Sequence, residues 1–583
     1  MTCMVESSWE DDLKKILEYI KPLYLRMFLG FLIKLVGTVM DLAIPWILAY
    51  MIDDVVPRGD KRSIFLWGIG MAVCAVIALS GNVIANRRAS AVSRDATRRI
   101  RHDLYEKIEH LSARQLDEIT IPSLISRLTT DTYNVNQTLG RIQRLGVRAP
   151  ILLVGGVFVT MLLDIRLSLV LIGTIPLLAL GVVLISRRGI ALYAGVQQNV
   201  DAMVRTVRDS VTGIRVIRAL SKGDYECARF KKDSEALSAS QIHADTVMAA
   251  TDPMMQLVLN LGLTAVVVCG AYWVNRGVTK PGSIIAFLTY FTIILNAMMS
   301  VNKMFVMVSQ ATASANRIAE VLNLPEENTE GEYAQAPFQE GIVFDDVCFS
   351  YAQPANGYEL EHISFRLKKG QMLGVIGATG SGKSTLIQIL QRFYPVDSGA
   401  IYIEGKNINT IDEESLHSMF GVAFQSDAFF LGTIYENIDI GRELSEEAIR
   451  CAARCAQAEP FILATQEGYD HPVHAKAANL SGGQKQRLLI ARALAGAPSI
   501  LILDDSSSAL DYQTDAAVRS TIRKAYPHTT VILVAQRVSS VRNADQILVL
   551  DEGKMAGLGT HDELMKNCTL YRQIANIQTG GET

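Results

Sequence analysis

"LGVIGATGSGKSTLIQILQRFY", residues 373–394, decides the fold of the C-terminal part of this 583-residue chain. A short apolar run leads into a glycine-rich loop, and a helical pattern follows at once. The loop fits G-x-x-x-x-G-K-[ST], and strand-before, helix-after is the context that spacing requires. Gly377, Ala378, Thr379, Gly380, Ser381 and Gly382 lend backbone N–H groups to phosphate oxygens, because glycine permits close approach. The helix beginning near Lys383 adds the positive end of its dipole. Lys383 is placed to reach the outer phosphates and the Ser384 hydroxyl to ligate Mg²⁺, with Thr385 completing the motif.

Further along, "SILILD" (499–504) reads as a buried strand ending in an acid, a parallel neighbour of the loop strand. Asp504 would hold Mg²⁺ through water. Asp505 follows it directly, and adjacent strand side chains point to opposite faces. The two acids therefore cannot share one task unless the chain turns between them.

Composition bounds the rest. A net charge of −3 leaves no nucleic-acid footprint. Mean hydropathy is +0.21, with the apolar excess concentrated in the first ~310 residues. Six apolar runs, at roughly 23–52, 63–86, 144–163, 167–186, 254–274 and 283–307, are long enough to cross a bilayer. Two long basic excursions separate spans two and three, and four and five. Positive charge stays cytoplasmic, so both excursions and both termini are expected on that side of a cell (inner or plasma) membrane. The eight scattered cysteines read as reduced thiols. Before the first span, Trp9, Leu13, Ile16, Leu17 and Ile20 recur at helical spacing, suiting a helix on the membrane surface or one packed on its neighbour. The acidic start, without a basic region and apolar core ahead of the helix, leads us to expect no secretory leader.

Charge inside the spans is informative. Lys34 and Asp41 are seven residues apart on one face, about 10 Å in rise. Arg141, Arg144 and Arg148 form a stripe at the start of span three, able to draw in an anionic substrate, to snorkel, or to pair with an acid. These five mark a possible substrate path. Residues 1–310 thus form an α-helical six-span membrane domain, 311–340 a linker, and 341–583 an α/β P-loop domain.

"LSGGQ", residues 480–484, makes a family resemblance specific. The chain resembles an ATP-binding cassette (ABC) transporter of the exporter type, a half-transporter with fused membrane and ATP-binding domains. The resemblance covers nearly the whole chain: "LISRLTTDTYNV" (124–135) and "DSVTGIRVIRAL" (209–220) are similar to the family's cytoplasmic excursions, whose short coupling helices dock on the cassettes. It implies that Tyr351 stacks on adenine and that Gln425, in "VAFQSD", touches Mg²⁺ and the membrane-domain interface. It also implies that Leu480, Ser481, Gly482, Gly483 and Gln484 act in trans on a second cassette. "SALD" then matches the D-loop (Ser508, Ala509, Leu510, Asp511), and "VILVAQR" (531–537) the switch strand.

Three positions depart from that pattern. Asp505 stands where an active exporter has a water-orienting Glu, and is shorter by one methylene, about 1.5 Å. Gln536 replaces the switch His, keeping hydrogen bonding but not charge. "VHAKAAN" (473–479) replaces a V-G-E-R-G-type loop. The resemblance then implies a degenerate-site subunit of a heterodimeric multidrug-type exporter. It would bind ATP and Mg²⁺, hydrolyse weakly, and lend its signature to a homologous partner while moving a small amphiphilic drug, lipid or peptide. Alternatives from the same residues are a slow homodimeric exporter, or a nucleotide-gated channel or regulatory subunit.

Overall fold

A computed structural model describes residues 15–325, 341–351, 357–425, 428–506 and 509–579. Trp9, Leu13 and Ser508 lie outside them. Two compact units result: one holds the described residues of Met1–His110 and Pro122–Leu324, the other those of Leu111–Ile121 and Pro325–Thr583.

The first unit is wholly helical. Among the described residues, six helical stretches are apolar and long enough to cross a membrane; the first five each contain an expected span, and the sixth, Pro281–Val301, holds most of the expected 283–307 within helix Pro281–Leu322. Helices Lys61–Glu109 and Ile165–Thr212, of 49 and 48 residues, rise about 70 Å, more than twice a bilayer core of ~30 Å. Their excess length makes the polar excursions. Gly37 and Gly81 set the contact between helices Tyr24–Tyr50 and Lys61–Glu109: a Cβ on Gly81 would lie 3.3 Å from Gly37 Cα. Small residues at such crossings let backbones approach where lipid provides no hydrophobic drive.

One expectation needs correction. The last helix runs Pro281–Leu322, well past residue 310, where a linker was expected. Ala311, Ala315, Ile318 and Ala319 are buried at helical spacing, so the loss of overall apolar character concealed a narrow apolar stripe. Residues 326–340 of that linker lie outside the described residues. The short helix Ala113–Ile119, inside the first excursion, belongs with the second unit, where Tyr394 Oη donates to Asp117 Oδ2 at 2.5 Å.

The second unit is built on two main sheets. β1 (Ile342–Phe349), β2 (Leu360–Leu367), β4 (Ser398–Ile403) and β5 (Lys406–Asn407) form an antiparallel sheet in the order β2-β1-β4-β5. β3 (Met372–Gly377), β6 (Phe420–Ala423), β9 (Ile500–Asp504), β10 (Thr530–Val534), β11 (Gln546–Asp551) and β12 (Lys554–Gly559) form the second. Its order is β12-β11-β3-β10-β9-β6, parallel except at the β11–β12 hairpin. A minor pair joins β7 (Gly432–Thr433) to β8 (Pro472–Val473). All five residues of β9, and all five of β10, are buried, as continuous apolar strands covered on both faces should be.

β9 is therefore not the direct neighbour of the loop strand: β10 lies between, with Val534 opposite both Val375 and Asp504. A crossover topology inserts strands out of sequence order, which composition cannot reveal. Parallel register still brings the strand ends to one edge.

Candidate functional site

The C-terminal ends of β3, β9 and β10 open into a cleft of about 450 Å³. Thr379, Gly380, Gly382, Lys383, Ser384, Thr385, Gln425, Asp504, Asp505 and Gln536 line it. The loop after β3 needs its glycines: φ is +84° at Gly380 and +96° at Gly382, left-handed values costly for other residues. Lys383 Nζ donates to the carbonyls of Gly377 (3.0 Å) and Ala378 (2.6 Å), and burial pushes its pKa down.

Asp504 closes β9 and is 6% exposed. Ser384 Oγ donates to its Oδ2 at 3.3 Å, and burial holds the carboxyl above the usual aspartate range. Asp505 then breaks the strand alternation. Its φ is +45°, and its N–H donates to the Val534 carbonyl at 3.0 Å. This turn delivers both acids to one cleft. Asp505 Oδ2 accepts from Gln536 Nε2 at 3.0 Å and from Gln425 Nε2 at 3.3 Å. Burial raises its pKa too, against the pull of Lys383 and Arg537.

This geometry fits nucleotide polyphosphate and Mg²⁺. Ser384 and Asp504 place two oxygen ligands side by side, as a hard cation sharing its shell with water and phosphate requires.

The family described as the ABC transporter transmembrane region matches residues 27–298, and the ABC transporter family matches 360–508. The uncharacterized ABC transporter ATP-binding protein YfiB of Bacillus subtilis (strain 168) is 34% identical over 571 residues, covering 98% of this chain and 99% of that protein. The chain belongs to the ABC transporter family. The transporter is also similar to the uncharacterized ABC transporter ATP-binding protein YknU of Bacillus subtilis (strain 168), 31% identical over 574 residues and 97% of each chain. It shares its fold with a solved bacterial Atm1-family ABC exporter with ATP bound. That match has a TM-score of 0.80 at 23% identity and covers 96% of this chain and 99% of that one. Six apolar helices precede the mixed α/β domain on one chain.

Other expected site residues of the transporter sit elsewhere. Tyr351 does not line the cleft. Its ring packs edge-on against Phe349 (4.9 Å) and Tyr394 (5.0 Å), and its hydroxyl meets Thr385 Oγ1 (3.2 Å) and Gln388. Tyr358, Glu359, Glu552 and Gly553 line the cleft instead, and sequence reasoning missed them. The D-E-G-K turn between β11 and β12, with Gly553 at φ +79°, was the available signal for Glu552 and Gly553.

Leu480 and the signature lie outside the cleft lining. Ser481 caps helix Gly482–Ala495 by a reciprocal pair: Gln484 N–H donates to Ser481 Oγ (3.3 Å), and Ser481 N–H to Gln484 Oε1 (2.8 Å). Ala509 packs on it. A Cβ on Gly483 would lie 3.2 Å from the Ala509 carbonyl, and Ala509 N–H donates to Gln486 Oε1 at 2.8 Å. Leu510 is buried there, and Asp511 caps helix Tyr512–Ala525 through the Thr514 N–H at 2.9 Å.

In the membrane unit, the five charged candidates separate. Arg148 Nη2 pairs with Asp41 Oδ2 at 3.0 Å, and Asn82 Nδ2 joins the same oxygen at 3.3 Å. Asp41 and Arg148 line a pocket of about 400 Å³ with Asn296, Ser300 and apolar neighbours such as Leu152 and Ile293. Lys34 is buried and donates to Asn86 Oδ1 at 3.0 Å. Arg141 reaches Met307 Sδ (3.4 Å), and Arg144 donates to the Gly140 carbonyl (3.0 Å). Among the described residues, Arg148 alone of the stripe pairs with an acid.

Proposed function

We propose that this chain is one half of an ATP-driven exporter of amphiphilic compounds, working as a dimer whose two cassettes complete each other's sites. Both cassettes and both termini would face the cytoplasm. ATP would lie in the 450 Å³ cleft, its phosphates on the loop 377–385 and Lys383, and Mg²⁺ on Ser384, Asp504 and Gln425. When bound, Mg²⁺ neutralises charge on the terminal phosphates.

This site binds ATP and hydrolyses it weakly. The observation that carries this is Asp505, whose carboxylate oxygen is held by the amides of Gln425 and Gln536. A short acid clipped between two neutral side chains is poorly placed to take a proton from water, and misplacement of about 1 Å can cost ~10²-fold. The intact signature, capped at Ser481, would serve the catalytic site of a different, homologous subunit. Substrate would enter the membrane unit near the pocket formed by Asp41 and Arg148, whose charged and apolar walls suit an amphiphile.

Co-purification from native membranes tests this. A second homologous chain carrying Glu and His at the positions of Asp505 and Gln536 is expected, and removing that Glu should abolish turnover. Full substrate-stimulated turnover by this chain alone would overturn the heterodimer. A slow homodimer is the second reading, favoured because phosphate loop and signature are both intact on one chain. Vanadate-sensitive uphill accumulation in vesicles separates an exporter from a nucleotide-gated channel.

A further inference from the structure

The switch segment is held from behind by the last helix of the chain. Helix Val538–Val541 begins at Arg537, which gives it no side-chain cap, so the Val538 N–H is an orphan donor. Gln578 supplies the missing partner. Val538 N–H donates to Gln578 Oε1 at 2.7 Å, while Gln578 Nε2 donates to the Gln536 carbonyl at 2.7 Å. One amide therefore grips the backbone on both sides of Arg537.

The grip has a rigid base. Helix Thr569–Thr579 presents Tyr571, Ala575 and Gln578 at spacings of four and three, hence on one face. Tyr571 and Ala575 are buried in the core that also takes Val538 and Val541. Tyr571 Oη is hydrogen-bonded to His561 Nδ1 at 2.8 Å. From Gln578 the path to the cleft is one residue long, because the Gln536 side chain donates to Asp505.

We propose that Gln578 is a positioning residue for the nucleotide site: it fixes the Gln536 backbone and thereby the reach of the Gln536 amide toward the terminal phosphate of ATP. This rests on the reading of the cleft as an ATP site. Gln578 touches no nucleotide itself, so its effect must appear as discrimination between ATP and ADP.

The test uses the full-length transporter in lipid nanodiscs with Mg²⁺. ATP and ADP each displace a fluorescent ATP analogue, and thermal melting is recorded in parallel. Gln578→Glu keeps the acceptor for Val538 N–H but loses the donor to the Gln536 carbonyl; Gln578→Ala loses both. Both variants are expected to weaken ATP about three- to tenfold, the scale of one lost hydrogen bond, with ADP changed less than about twofold. Gln536→Ala should do the same, and the Gln578→Ala/Gln536→Ala pair no more than either alone. Equal weakening of ATP and ADP, or an unchanged ratio with unchanged melting, overturns the proposal. Wild-type protein that binds neither nucleotide overturns the ATP-site reading, and this inference with it.

Discussion

Gln536 Nε2 donates to Asp505 Oδ2 at 3.0 Å, so the Gln536 amide is committed to the Asp505 carboxylate at the edge of the cleft. In the proposed reading, these are two of the positions at which the chain departs from the exporter pattern. The contact is a hydrogen bond that cannot shuttle a proton, since an amide does not titrate.

Restoring one partner should therefore do little. Asp505→Glu in the assembled transporter is expected to change turnover by less than about threefold. Asp505→Glu with Gln536→His should raise hydrolysis at this site by on the order of tenfold or more, because acid and switch then act as one unit. Single-turnover hydrolysis, with the partner's site inactivated, reads this directly. A full gain from Asp505→Glu alone would show that Gln536 is not limiting.

Asp504 sets a pH dependence with a defined sign. Burial raises its pKa above the ordinary 3.8, so its charge is lost at higher pH than an exposed aspartate would lose it. Mg²⁺-dependent ATP affinity should decline as pH falls into that raised window, and Asp504→Asn should remove the dependence. Without nucleotide the sign reverses. The folded state binds the proton more readily, so this group's penalty on stability disappears as pH falls from the folded pKa toward the unfolded value. Melting curves with and without Mg²⁺ and ATP, across acid pH, separate the two effects.

Asp41 and Arg148 should behave as a coupled pair in the membrane unit. Arg148→Gln or Asp41→Asn alone is expected to lower the melting temperature, and the double variant to lose less than the sum. The coupling should be about 1 kcal/mol, because both groups are partly exposed to the pocket. Substrate-stimulated turnover should fall in all three variants if the pocket holds substrate, with basal turnover retained.

Lys476 carries strain in the segment just before helix Gly482–Ala495. Its φ is +56°, and that of Ala477 is +49°. Lys476→Gly is expected to stabilise by up to about 1 kcal/mol, since the left-handed penalty disappears while the unfolded chain gains some entropy. Chemical denaturation of the full-length protein measures it; a loss of stability would mean that the Lys476 side chain contributes more than its backbone costs.

Much of this transporter could be read from residue order alone. Six apolar runs of bilayer length and a glycine-rich loop between strand and helix are local patterns, and local patterns survive without tertiary information. Asp505 and Gln536 could likewise be singled out from the sequence, though not their contact with each other. What packing decided is where these residues meet. The placement of β10 between β3 and β9 follows from crossover topology, and the left-handed turn at Asp505 follows from its hydrogen bond to Val534. The helix through Leu322 was hidden because its stripe is narrow, and Arg148 was picked out of its row of three by an aspartate more than a hundred residues away. Gln578 is the clearest case. As a polar residue near the chain end it had no local signature, and only the packing of Tyr571 and Ala575 aims its amide at the switch. Local spacing specifies elements and motifs; long-range contacts, which depend on how those elements cross, specify which side chains act together.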